Sequence, residues 1–141
     1  MSGVLGLAHV GIAVRSLADA IPVWTRALGF THVDTIDFEP MKLRIAFLRA
    51  GSSEIELLQP TSEDSPVGRF LAKRGEGIHH LSFHVADIEA ALEEAAAAGL
   101  ELIDRTPREG SHHTKIAFLS PRALHGVLVE LCQLPRLMGN S

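Results

Sequence analysis

One cysteine, Cys132, excludes an internal disulfide and fits a reducing compartment. No apolar run approaches the roughly 20 residues that a membrane helix needs. Met1 to Leu7 lack the basic region and apolar stretch of a secretory signal. These absences predict a cytoplasmic protein with no membrane partner. A strong excess of either charge is also missing: 13 Lys and Arg stand against 17 Asp and Glu, for a net charge of −4. That balance gives no basic footprint for nucleic acid. A charged fraction of 21% beside 46% hydrophobic residues is not a disordered composition. The 141 residues are enough for one domain with a real core.

What the chain does have is an internal repeat. Ile78-His79-His80-Leu81-Ser82-Phe83-His84-Val85 echoes Leu7-Ala8-His9-Val10-Gly11-Ile12-Ala13-Val14, which places His80 71 positions after His9. Ile116-Ala117-Phe118-Leu119 repeats Ile45-Ala46-Phe47-Leu48 letter for letter at the same offset of 71. Glu130-Leu131-Cys132-Gln133 echoes Glu56-Leu57-Leu58-Gln59 with three extra residues in the second copy. Each copy thus carries a His near its start and a Glu near its end. Packed about a pseudo-twofold axis, the copies would gather His9, Glu56, His80 and Glu130. Two imidazoles and two carboxylates suit a divalent metal with room left for substrate oxygens.

Alternation predicts the elements. Ala8, Val10, Ile12 and Val14 share one face of a first strand, with His9, Gly11 and Ala13 on the other. Ser16 is a suitable N-cap for a helix to about Leu28, stopped by Gly29, with Pro22 awkwardly inside it; Pro22 should distort the first turns or move the start later. Strands follow at about 30–37, 42–50 and 53–59. In the last of these Ile55 and Leu57 face the core, and Glu54, Glu56 and Leu58 face away. Ser65-Pro66 opens a linker helix over 67–74. The second copy reads as a strand at 78–85, a helix at 87–98 capped by Asp87, and strands at about 100–105, 113–120 and 126–132. All four candidate ligands fall opposite the better apolar stripe of their strand. The predicted fold class is α+β: two tandem βαβββ modules of about 5–60 and 77–135, joined by the linker helix. They form an open, cupped mixed β-sheet with helices outside, a single domain over 1–141.

With His and Glu at these repeat positions, the chain resembles the vicinal oxygen chelate superfamily, which includes glyoxalase I, extradiol dioxygenases and bleomycin-resistance proteins. Within it the chain is most similar to the methylmalonyl-CoA epimerases, over about residues 7–133. Three stretches carry that resemblance: Glu63-Asp64-Ser65-Pro66, Phe70 to His80, and Gly126-Val127-Leu128-Val129-Glu130-Leu131. The resemblance implies metal ligands at His9, Glu56, His80 and Glu130, an acyl-CoA substrate and a homodimer. It implies interconversion of (2R)- and (2S)-methylmalonyl-CoA by proton abstraction at C2, through a metal-stabilised enolate. Co²⁺ is the first expectation for the metal, with Zn²⁺, Ni²⁺ or Mn²⁺ as the others. Epimerisation needs an acid/base group on each side of the reacting plane. Glu130 is the candidate for one; Glu56 leads for the other, ahead of His84, His112 or a water. Some family members carry a catalytic carboxylate where this chain has Ile45, which cannot accept a proton. Pro40-Met41-Lys42-Leu43, Ser120 and Gly110 to Lys115 also depart from the family pattern, at the expected pocket rim.

Plainer readings cover the remaining residues. His79 points to the face opposite His80. His32 and His112-His113 read as solvated, Trp24 as core, and Cys132 as a small buried residue. Lys42, Arg44, Lys73 and Arg74 read first as solvated charges, and second as contacts to coenzyme A phosphates. The alternative activity is a glyoxalase I-type isomerisation of a glutathione hemithioacetal. An Fe²⁺ extradiol dioxygenase is disfavoured by Glu56, and a drug-sequestering protein by the retention of all four ligands.

Overall fold

In the computed structural model, which describes residues 3–135, the elements run in chain order as follows. β1 is Val4–Ala13, α1 Leu17–Pro22, β2 Thr31–Phe38, β3 Leu43–Ala50, β4 Ser53–Pro60 and α2 Pro66–Arg74. β5 is Gly77–Val85, α3 Ile88–Ala97, β6 Arg108–Glu109, β7 Lys115–Leu119 and β8 Val129–Gln133. The class is mixed α+β, as the alternation predicts. Two compact units divide the chain: His9–His79, and the residues before His9 together with those from His80 onward. The backbone passes between them twice, within β1 at Ala8–His9 and within β5 at His79–His80.

In the His9–His79 unit the strand order is β2-β3-β4-β1. β3 and β4 form an antiparallel hairpin closed at Gly51, whose φ of 59° suits a residue without Cβ. β1 runs parallel to β4, with Gly11 opposite Glu56 and Ile12 opposite Leu57. Ser16 caps α1 by accepting from the Asp19 N–H, and Gln59 Oε1 accepts from Leu17 N at 2.8 Å. Pro22 leaves the start of α1 in place and acts at its end. A π-turn over Val23–Ala27 follows, with Leu28 N reaching Val23 O at 3.3 Å, because proline offers no N–H and crowds the preceding turn.

Both faces of this sheet carry an apolar cluster. Val14, Leu17, Ala46, Leu48 and Leu57 pack with Trp24 under α1. Ala13, Leu43, Ile45 and Leu58 pack against Val67 and Leu71 of α2. Leu58, expected to face away from the core, is therefore 1% exposed in a second core.

The other unit reads β1-β5-β8-β7-β6. β5 is parallel to β8, with Ser82 opposite Glu130, and β7 is antiparallel to β8. The helix entry repeats the first copy: Asp87 caps α3 by accepting from Ala90 N, and Gln133 Oε1 accepts from Ile88 N at 2.9 Å. Ile88, Ala91 and Leu92 of α3 cover Ala117, Leu119, Val129 and Leu131.

The strand expected at 100–105 does not form. Leu102 makes one isolated bridge to Leu119, and the edge strand is Arg108–Glu109 instead. Asp104 explains the break. Its Oδ2 accepts from Phe118 N at 2.9 Å, so a side chain takes the place of a carbonyl in the ladder. Pro107 then bars continued pairing.

Candidate functional site

Each unit presents one His–Glu pair in the same register. In the first copy, Glu56 lies on β4 between Gly11 of β1 and Phe47 of β3. His9 Nδ1 is 3.1 Å from Glu56 Oε2, and the two side chains are 10% and 13% exposed. In the second copy, Glu130 lies on β8 between Ser82 of β5 and Phe118 of β7. His80 Nε2 is 3.9 Å from Glu130 Oε2, with side chains 5% and 7% exposed. The His80 ring stands edge-on to Phe118 at 5.7 Å. So the structure joins His9 to Glu56 and His80 to Glu130.

The donor types suit a cation. His80 and Glu130 are buried in one unit and His9 in the other, and each carries an atom that can ligate a metal. At 3.9 Å the His80–Glu130 separation is too long for a hydrogen bond. It lies within the span of two donors that each reach a shared ion at roughly 2.0–2.2 Å.

The electrostatics differ by group. Burial pushes the Glu130 carboxyl up to about 7, while a hydrogen bond from Ser82 and the positive charge of Arg108 pull it back. Ser82 Oγ donates to Glu130 Oε1 at 2.6 Å. The Arg108 guanidinium lies 5.3 Å from the centroid of Phe118 and 3.3 Å from Asp104 Oδ2. Neither Ser82 nor Arg108 was singled out from the sequence. The register of the repeat was the available signal for Ser82, since it stands opposite Glu130. Arg108 had none, because its short strand lies between the strands expected at about 100–105 and 113–120. His79 follows the alternation: it packs on Phe70 of α2 at 5.1 Å, and burial lowers its pKa to about 4.

The other candidates fall as follows. Ile45, at the family's carboxylate position, is 4% exposed inside the apolar cluster under α2. His84 lines an open cavity of about 920 Å³ with Asp87, His113, Lys115 and Gln133, and its Nδ1 has no hydrogen-bond partner among the described residues. His112 and His113 are exposed, in left-handed backbone, as a solvated loop allows. Arg44 pairs with Asp37 at 3.5 Å, and Arg74 lies over the Phe70 ring.

Residues 8–118 match the model of the glyoxalase/bleomycin resistance protein/dioxygenase superfamily. Among curated proteins, the chain is 45% identical over 129 residues to the uncharacterized protein YqjC of Bacillus subtilis, covering 90% of this chain and 91% of that one. It is 35% identical over 130 residues to the ethylmalonyl-CoA/methylmalonyl-CoA epimerase of Cereibacter sphaeroides, covering 91% and 97%. Among solved structures, a methylmalonyl-CoA epimerase in complex with methylmalonyl-CoA and ammonium superposes with a TM-score of 0.89 at 36% identity, covering 93% of this chain and 95% of that one. The chain belongs to the glyoxalase/bleomycin resistance/dioxygenase superfamily. Within it the chain falls with the methylmalonyl-CoA epimerases, a family of isomerases.

Proposed function

We propose that the protein interconverts (2R)- and (2S)-methylmalonyl-CoA, and that His9, Glu56, His80 and Glu130 hold one divalent metal within a single domain. The observation that carries this reading is the duplicated, buried His–Glu pair, set in equivalent register in a chain of the epimerase family. The substrate offers two oxygens for chelation, its thioester carbonyl and its free carboxylate, and the proton to be moved lies between them. A bound cation would stabilise the negative charge that gathers on the carbonyl oxygen when that proton leaves.

The chain's own residues do the rest. Glu130 is held near neutrality by burial, the range in which one carboxyl can both take and return a proton. Glu56 is the group assigned to the opposite face, since Ile45 is sealed in hydrocarbon. Each positioned acid/base group contributes about 10²–10⁴-fold. Phe47 and Phe118 are the strand neighbours of the two carboxylates.

Co²⁺ is the assigned metal; the mixed imidazole and carboxylate set also accepts Zn²⁺, Ni²⁺ or Mn²⁺. A homodimer is supported by exposed apolar residues on β1, where Val4, Leu5 and Leu7 are 55%, 70% and 55% exposed. Among the described residues no helix is long and apolar enough to cross a membrane, and we assign the protein to the cytoplasm with its one thiol reduced.

The test is exchange of the C2 proton of each epimer in D₂O, followed by NMR, with metal-free and Co²⁺-loaded protein. Metal-dependent exchange with interconversion of the epimers is expected. No exchange from either epimer, with metal bound, would remove the substrate assignment and make glutathione hemithioacetals the next candidates.

A further inference from the structure

The two His–Glu pairs differ at one position. Glu56 faces Gly11, which has no side chain to offer it. Glu130 faces Ser82, whose hydroxyl donates to Oε1 at 2.6 Å while Oε2 is the oxygen turned toward His80. Ser82 is 0% exposed and Glu130 5% exposed. A hydroxyl–carboxylate bond this short in a dry site is among the stronger neutral-to-charged bonds, and it fixes the rotation of the carboxylate plane.

From this geometry we infer that Ser82 is a positioning residue: it engages Oε1 of Glu130, so that Oε2 alone is presented on the His80 side as a single-oxygen metal ligand. The inference rests on the metal reading above. A carboxylate that is free to rotate offers one or both oxygens and must be ordered when the cation arrives; one already held does not. Such outer partners of metal ligands typically account for about 10–100-fold in metal affinity. The asymmetry assigns unequal tasks. The second-copy carboxylate is a ligand whose orientation Ser82 sets; Glu56 instead meets His9 Nδ1 at 3.1 Å.

The experiment compares wild type, Ser82→Ala and Ser82→Thr. Each is tested for Co²⁺ affinity by calorimetry, for the visible absorption bands of bound Co²⁺, and for thermal melting of the metal-free protein. Ser82→Ala is expected to weaken Co²⁺ binding by about 10–100-fold and to change the Co²⁺ bands, as the carboxylate gains a second mode. Ser82→Thr keeps the hydroxyl and is expected to keep wild-type bands. A folded Ser82→Ala protein with wild-type affinity and bands would overturn the positioning role alone, as would a folded Ser82→Thr protein as impaired as the alanine variant. Wild-type protein that takes up no Co²⁺ would overturn the metal reading and this inference with it.

Discussion

Where the His9–His79 unit has Ala13, packed beneath α2, the other unit has His84 at the equivalent place, beside an open cavity. The same exchange recurs along the strands: Gly11 becomes Ser82, and Leu58 becomes Cys132. The first copy closes its ligand-bearing face with Leu43, Ile45, Leu58, Val67 and Leu71. The second copy leaves polar atoms on that face and satisfies the critical one with a serine. Duplication has kept what chemistry requires, the His, the Glu and the Phe beside it, and varied what surrounds them. Identical side chains thereby acquire unequal properties, because a carboxylate answers to its burial and its hydrogen-bond donors.

The sharpest way to break the comparison is to remove both histidines. His9→Ala with His80→Ala should abolish metal uptake, read by metal analysis after dialysis; full occupancy in that variant would sink the ligand assignment. Next come the carboxylates. Glu130→Gln should keep the fold and lose about 10²-fold or more of turnover, with weakened Co²⁺ binding. Glu56→Gln should lose turnover while keeping most of its metal, since an amide oxygen can still serve as a ligand. Equal metal loss in the two variants would mean the copies are equivalent after all.

Packing gives a smaller effect. Leu57 is 0% exposed in the cluster under α1, and Leu57→Ala should cost about 2–5 kcal/mol in denaturant unfolding. A cost below 1 kcal/mol would mean that the cluster collapses to fill the gap.

The smallest expected effect is a pH dependence carried by Glu130. Glu130 titrates at about 7 against an ordinary value of 4.5. Metal-free protein should therefore be most stable below about 4.5 on this group's account, and lose that contribution as pH rises through about 7. Metal affinity should run the other way, rising through the same interval as the proton is displaced. Glu130→Gln should remove this contribution from both profiles. Arg108→Met should move the affinity profile upward, because the arginine charge holds the carboxyl down. Identical profiles in wild type and Glu130→Gln would assign the dependence to other groups.

Much of this was legible in the chain because a repeat supplies its own control. One histidine on a strand says little; two at one offset, each followed by a glutamate on the matching face, define a register. The helix entries were legible for the same reason, with Ser16 and Asp87 in equivalent places. Other features depend on side chains that replace backbone partners, which periodicity does not record. Asp104 takes a ladder position and removes an expected strand. Pro22 turns a helix end into a π-turn without shifting the start. Leu58 looked solvent-facing because the cover supplied by α2 comes from beyond the repeat. The role of Ser82 was not legible either, because periodicity does not record which carboxylate oxygen a hydroxyl meets.

The passage of β1 through both units also bears on how the chain acquires its structure over time. The β3–β4 hairpin is local and closes through a short turn at Gly51. The parallel pairing of Val10 with Ile55 joins residues more than forty positions apart, and the other strand neighbour of β1 is β5, later still. Loop-closure entropy places the hairpin early and β1 late. During synthesis β1 then leaves the ribosome well before β4 and β5, the strands it must pair with. Pulsed hydrogen exchange should protect the β3 and β4 amides before those of Val10–Ala13, and simultaneous protection would instead mean a single concerted closure.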